Sequence, residues 1–215
     1  MKNIFLIILC LMGSSLALGE EKTHLHCFAP KFFYRYHDET GYKYSTQGFG
    51  LAYKLWRPKG INLEISIIST PSSEKVLMET EESIFYKIPL ISNFTFFPVF
   101  SGRAASHHMR ETKTGDYFIH KSTILGGMGC EYIISDEFQF TCWLQGFQDL
   151  RNSLVLKENN FFYGKQYTNP FGGRFKANWR TSWERKFVEI EGYVAKTFCS
   201  CYFEYGFEMA FYWGF

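Results

Sequence analysis

From Cys201 to Phe215 the chain alternates between two kinds of position. One face carries Cys201, Phe203, Tyr205, Phe207, Met209, Phe211, Trp213 and Phe215, and the other carries Tyr202, Glu204, Gly206, Glu208, Ala210, Tyr212 and Gly214. Successive side chains of a strand point to opposite faces, so a period of two predicts a β-strand. The first face is too apolar for water. The second, with two glutamates and two glycines, is too polar for a protein core. A strand with lipid on one side and a polar lumen on the other suits both faces.

Strand-like segments precede it at 27–37, 43–56, 61–69, 83–91, 94–101, 117–134, 137–149, 170–184 and 187–198. The alternation is clearest near the C-terminus, where Phe171, Phe175, Ala177, Trp179 and Trp183 oppose Arg174, Lys176, Asn178 and Arg180. Connections at 57–60, 92–93, 135–136 and 185–186 are short. Those on the other side, 38–42, 70–82, 102–116, 150–169 and 199–200, include three long polar stretches expected to be loops. Short turns at one end and long loops at the other are the asymmetry of a membrane barrel. The expected fold is all-β: a closed antiparallel transmembrane β-barrel of ten strands in meander order. Pro89 and Pro98 weaken the hairpin over 83–101, and eight strands are the alternative if that hairpin is misread.

The N-terminus carries Lys2, an apolar run from Ile4 to Met12, and the small residues of Gly13-Ser14-Ser15-Leu16-Ala17-Leu18-Gly19. This predicts a secretory signal over residues 1–19, cleaved after Ala17 or Gly19, with a single barrel domain over 20–215. The run is shorter than the ~20 residues a spanning helix needs. Aromatic residues make up 20% of the chain, an excess that two interfacial belts would use. Mean hydropathy is only −0.17, because alternate residues alone would meet lipid. The mature chain would carry 22 basic and 21 acidic residues, a balance that predicts no nucleic-acid partner.

Alternation sends Lys31, Arg35, Lys54, Glu64, Glu131, Arg174, Lys176, Arg180, Glu189, Glu191, Glu204 and Glu208 inward. A barrel of this size has room inside for side chains or one small ligand. A paired ionic network that plugs the lumen is therefore expected, centred on Arg174, Lys176, Arg180, Glu189, Glu191, Glu204 and Glu208. A narrow pore is the alternative. The mature cysteines are Cys27, Cys130, Cys142, Cys199 and Cys201, with no histidines at zinc-ligand spacing, so neither metal nor cofactor is expected. A turn at Ser135-Asp136 sets Cys130 opposite Cys142 on the lipid-facing side. Their β-carbons would be ~4.5–5.5 Å apart, so a disulfide would need local adjustment.

The terminal strand resembles the C-terminal assembly signal of bacterial outer-membrane β-barrels, with Phe207, Met209, Phe211, Trp213 and the final Phe215 in the pattern. With the signal segment, the mature chain is similar to the small outer-membrane barrel superfamily, the eight- and ten-stranded surface proteins of Gram-negative bacteria. That resemblance implies a monomer in the outer membrane, a porin-like shell contacting lipid and lipopolysaccharide, and assembly by the barrel machinery. It implies a structural or adhesive role for outer loops that meet an extracellular ligand. The rival role is a barrel hydrolase acting on lipid A or surface peptides. His120 and Ser122 are its candidate base and hydroxyl, similar to the His-x-Ser pair of outer-membrane lipid A deacylases but without the Asn that follows it there. His107, His108, Asp116 and Asp149 are the residues that would form the Asp-His site of the surface proteases. On balance no catalytic residue is assigned.

Overall fold

The computed structural model describes residues 25–39, 42–70, 75–111, 115–158, 161–166, 171–198 and 202–215. The signal segment, Cys199 and Cys201 lie outside them. The strands are β1 (Leu25–Glu39), β2 (Tyr42–Trp56), β3 (Gly60–Ser69), β4 (Lys75–Ile91), β5 (Phe94–Glu111) and β6 (Gly115–Ile133). They continue with β7 (Phe138–Glu158), β8 (Phe161–Gln166), β9 (Phe171–Trp183), β10 (Lys186–Thr197) and β11 (Tyr202–Gly214).

Successive strands pair antiparallel except β8 and β9; β9 pairs instead with β7, and β11 pairs with β1. Ten strands therefore close into a barrel, while β8 folds back on the outer end of β7 alone among the described strands. Phe215 completes the seam, its N–H donating to the carbonyl of His26 at 2.9 Å. Paired residues traced around the sheet from His26 return to β1 at Asp38, twelve residues on. With ~3.4 Å per residue and ~4.8 Å between strands, that stagger tilts ten strands by about 40° and gives a backbone radius of about 10 Å. Side chains from opposite walls can meet across such a lumen.

The ten-stranded meander agrees with the sequence, but the three long polar stretches are not loops. Residues 75–82 begin β4, residues 102–111 and 115–116 extend β5 and β6, and 150–158 with 161–166 form the β7–β8 hairpin. No more than five residues separate successive strands. Above the apolar band both faces of a strand are polar, so the period-two signal that marks a strand disappears although the hydrogen-bond ladder continues. The inner turns stay tight. Gly60, at φ +90°, takes a left-handed conformation that suits glycine where β3 begins.

The barrel is inside-out relative to a soluble protein. Its outward face exposes Leu51 (69%), Leu144 (63%) and Phe100 (56%). Around the inner turns Trp183, Trp213 and Phe215 stand outward as part of an aromatic girdle. Carboxylates and bases fill the interior, where charged groups are almost never buried unless paired.

Candidate functional site

The charged lumen is the candidate site. Inward positions of the described strands carry the bases Lys31, Arg35, Lys54, Lys87, Arg103, Lys121, Arg174, Lys176 and Arg180. They also carry the acids Glu64, Glu79, Glu81, Glu131, Asp149, Glu189, Glu191, Glu204 and Glu208. Among the described inward side chains, these nine charges of each sign balance.

Toward the inner turns, Arg180 holds Glu189 through Nε and Nη2 at 2.9 and 2.7 Å. These residues are direct cross-strand partners on β9 and β10. Lys54 reaches the same carboxylate from β2 and also lies 3.3 Å from Glu64. Lys87 pairs with Glu131 at 2.6 Å. Trp56 presents its ring to Lys87 and Arg180, at 4.9 and 5.6 Å.

At mid-height Lys31 meets Glu208 at 2.5 Å, and Lys176 meets Glu191 at 2.9 Å and Glu81 at 3.5 Å. Phe85, Phe97 and Trp143 pack as an aromatic cluster beside them, with ring centroids 5.2–5.7 Å apart. Gly129 makes room for this cluster, because a β-carbon there would strike the Phe97 ring.

Toward the outer end the network crosses the barrel. Arg35 bridges Glu79 and Glu208, the latter at 2.5 Å. Arg103 reaches Glu79 at 2.7 Å and Glu204 at 2.8 Å, and the Tyr193 hydroxyl donates to Glu204. Arg103 stands on β5 and Glu204 on β11, five strand positions apart in a ring of ten, so this pair spans the full diameter. Arg174 on β9 donates to Glu81 on β4 at 2.9 Å. Cavities of 30 and 10 Å³ lie among these groups, on the scale of single waters.

All twelve residues that alternation sends inward are buried in the lumen. Arg180–Glu189 and Lys176–Glu191 are neighbours across adjacent strands, whereas Arg174 finds its acid on the opposite wall. Glu79, Glu81 and Arg103 fall in stretches that read as loops, and sequence reasoning missed them. Along β4 burial alternates through Leu77, Glu79, Glu81, Ser83, Phe85 and Lys87, but the residue types there do not alternate between apolar and polar, so the sequence carries no such signal. Phe207, Phe211, Trp213 and Phe215 face outward and exposed, with Met209 partly exposed on the same face.

The catalytic candidates are not gathered. His120 is exposed and Ser122 partly so, on the outward face of β6, opposite the inward Lys121 and Thr123. Asp149 is buried in the lumen and accepts from Thr123 Oγ1 at 2.6 Å, while His108 stacks on Phe118 at 4.3 Å. His107 and Asp116 are defined as register positions on β5 and β6. Among the described residues no group of three or more His, Cys, Asp or Glu is arranged to hold a metal.

No protein-family model matches the chain, and no curated protein sequence matches it. Solved structures do. The outer membrane protease OmpT from Escherichia coli is similar at a TM-score of 0.54 and 6% identity, over 90% of this chain and 97% of that one. The translocator domain of autotransporter NalP from Neisseria meningitidis is similar at 0.52 and 7% identity, over 94% of this chain and 92% of that one. Likeness at this identity concerns the fold. The fold is that of the small bacterial outer-membrane β-barrels.

Proposed function

We propose that this chain is an outer-membrane β-barrel protein of a Gram-negative bacterium, with a plugged lumen and a structural or surface-binding role. The Arg103–Glu204 pair carries the reading, since a salt bridge between opposite walls sets charged side chains across the middle of the lumen. The nine-to-nine balance among the described inward charges suits a plug better than an ion-selective channel. The outer extensions of β4 to β7 with β8 supply the surface that would meet an extracellular ligand. Residues 1–19 serve as the export signal, and Phe207 to Phe215 serve as the signal read by the assembly machinery. The barrel strands close on themselves, which suits a monomer surrounded by lipid and lipopolysaccharide.

The test is purification from outer membranes in detergent, followed by planar-bilayer recording and a lipid A mass assay on one sample. The expected result is neither conductance nor acyl loss. Reproducible single-channel steps would replace the plug with a pore, and acyl loss would establish a hydrolase.

A further inference from the structure

Cys130 on β6 and Cys142 on β7 are direct cross-strand partners with their Sγ atoms 3.2 Å apart. Both are thiols in the structure. They face outward, Cys130 between Met128 and Tyr132 and Cys142 between Phe140 and Leu144. The short turn at Ser135-Asp136 sets the register of this hairpin, but the ladder beside the cysteines has little side-chain support for it. Gly126 faces Gly146, Gly127 faces Gln145 and Gly129 faces Trp143, so three of the four levels from 126 to 129 lack a side-chain pair across the strands, Met128–Leu144 being the exception. Cross-strand side-chain pairs stabilise a ladder, and glycine-rich strands are prone to slip. A one-residue slip here would turn Glu131 toward lipid and Cys130 toward the lumen.

We propose that Cys130 and Cys142 form a disulfide that pins the register of the β6–β7 hairpin. The bond joins directly opposed residues, and the sulfurs need only approach from contact distance to the ~2.05 Å of a disulfide. The cellular oxidant is a disulfide-bearing oxidant of the periplasm, so that part rests on the export reading above. One cysteine thiolate attacks that oxidant, displacing one of its thiolates and leaving a mixed disulfide. The second cysteine thiolate attacks the first cysteine's sulfur and displaces the oxidant's remaining thiolate. Two protons leave the cysteines, and two electrons pass to the oxidant. Oxidation precedes insertion, because the outward face then closes against hydrocarbon.

The experiment blocks free thiols with an alkylating agent in denaturant, then reduces and labels with a second agent of different mass. It is run on protein taken from outer membranes and on purified mature chain refolded in detergent with reduced and oxidised glutathione. The expected result in both is Cys130 and Cys142 carrying the second label, with a reducible cross-link between their two peptides. First-label alkylation at both in the refolded sample overturns the bond, as does pairing of either with another cysteine. Absence of the chain from the outer-membrane fraction overturns the export reading instead, and the refolded sample still decides the bond. Cys130→Ser, Cys142→Ser and the double variant should lower the heat-modifiable refolded fraction equally. Variants that refold as well as the parent overturn the register role.

Discussion

Arg103 is held by two carboxylates, Glu79 on the adjacent β4 and Glu204 on β11 across the lumen. Its value to the fold is set by what its loss would leave behind. Two charges taken from water need each other's attraction and further hydrogen bonds to offset desolvation, and removing one partner leaves the rest uncompensated. Arg103→Met should therefore cost about 3–5 kcal/mol, read as a shift in the urea midpoint of tryptophan fluorescence in detergent. Adding Glu204→Gln should recover part of the loss. A double variant less stable than the single would show that Arg103 is not the principal partner of Glu204. Alternation alone would allow a charge at Ala210, which points inward. Packing opposes it, because Ala210 belongs to a buried apolar cluster with Ala29, Ala52, Phe187 and Tyr212.

At the scale of the element, β11 has two separable duties. It closes the barrel against β1 from Cys27–Gly214 to Glu39–Tyr202, and it presents Phe207, Phe211, Trp213 and Phe215 outward at the chain end. Deleting Trp213-Gly214-Phe215, or replacing Phe215 by Ala, should reduce the heat-modifiable band in outer membranes and route the protein to periplasmic degradation. Normal outer-membrane levels of the truncated chain would refute the assembly role. Phe211→Arg instead leaves the ladder intact and sets a cation in hydrocarbon. Its cost should be about 2–4 kcal/mol near the midplane, measured by refolding equilibrium into vesicles. An unchanged midpoint would mean that this face of β11 does not meet acyl chains.

For the whole molecule, the stagger of twelve residues over ten strands sets the lumen width, and that width lets single salt bridges span it. The unmutated barrel should give no stable conductance in a planar bilayer. The combined loss of Arg103 and Arg174, each to Ala, should destabilise the barrel before it opens a channel, because Glu79, Glu81 and Glu204 would repel across the gap. A stably folded double variant that conducts would show that the arginines block the lumen without holding it together.

The period of two, clearest along Cys201–Phe215 and Phe171–Trp183 and weaker in the other segments, was enough to define the membrane-spanning part of the ten barrel strands, their facing and twelve inward charges. Each of these depends only on neighbouring residues in one strand. Cys130 and Cys142 were legible as partners because a short turn fixes their register locally. The outer strand extensions were not legible. Beyond the apolar band Glu79, Glu81 and Arg103 lie in stretches polar on both faces, and only ladder hydrogen bonds mark them as strand. Which acid meets which base was decided by tertiary structure. Glu81 and Arg174 are 93 residues apart in sequence, and only closure of the ring at its particular stagger brings them to 2.9 Å.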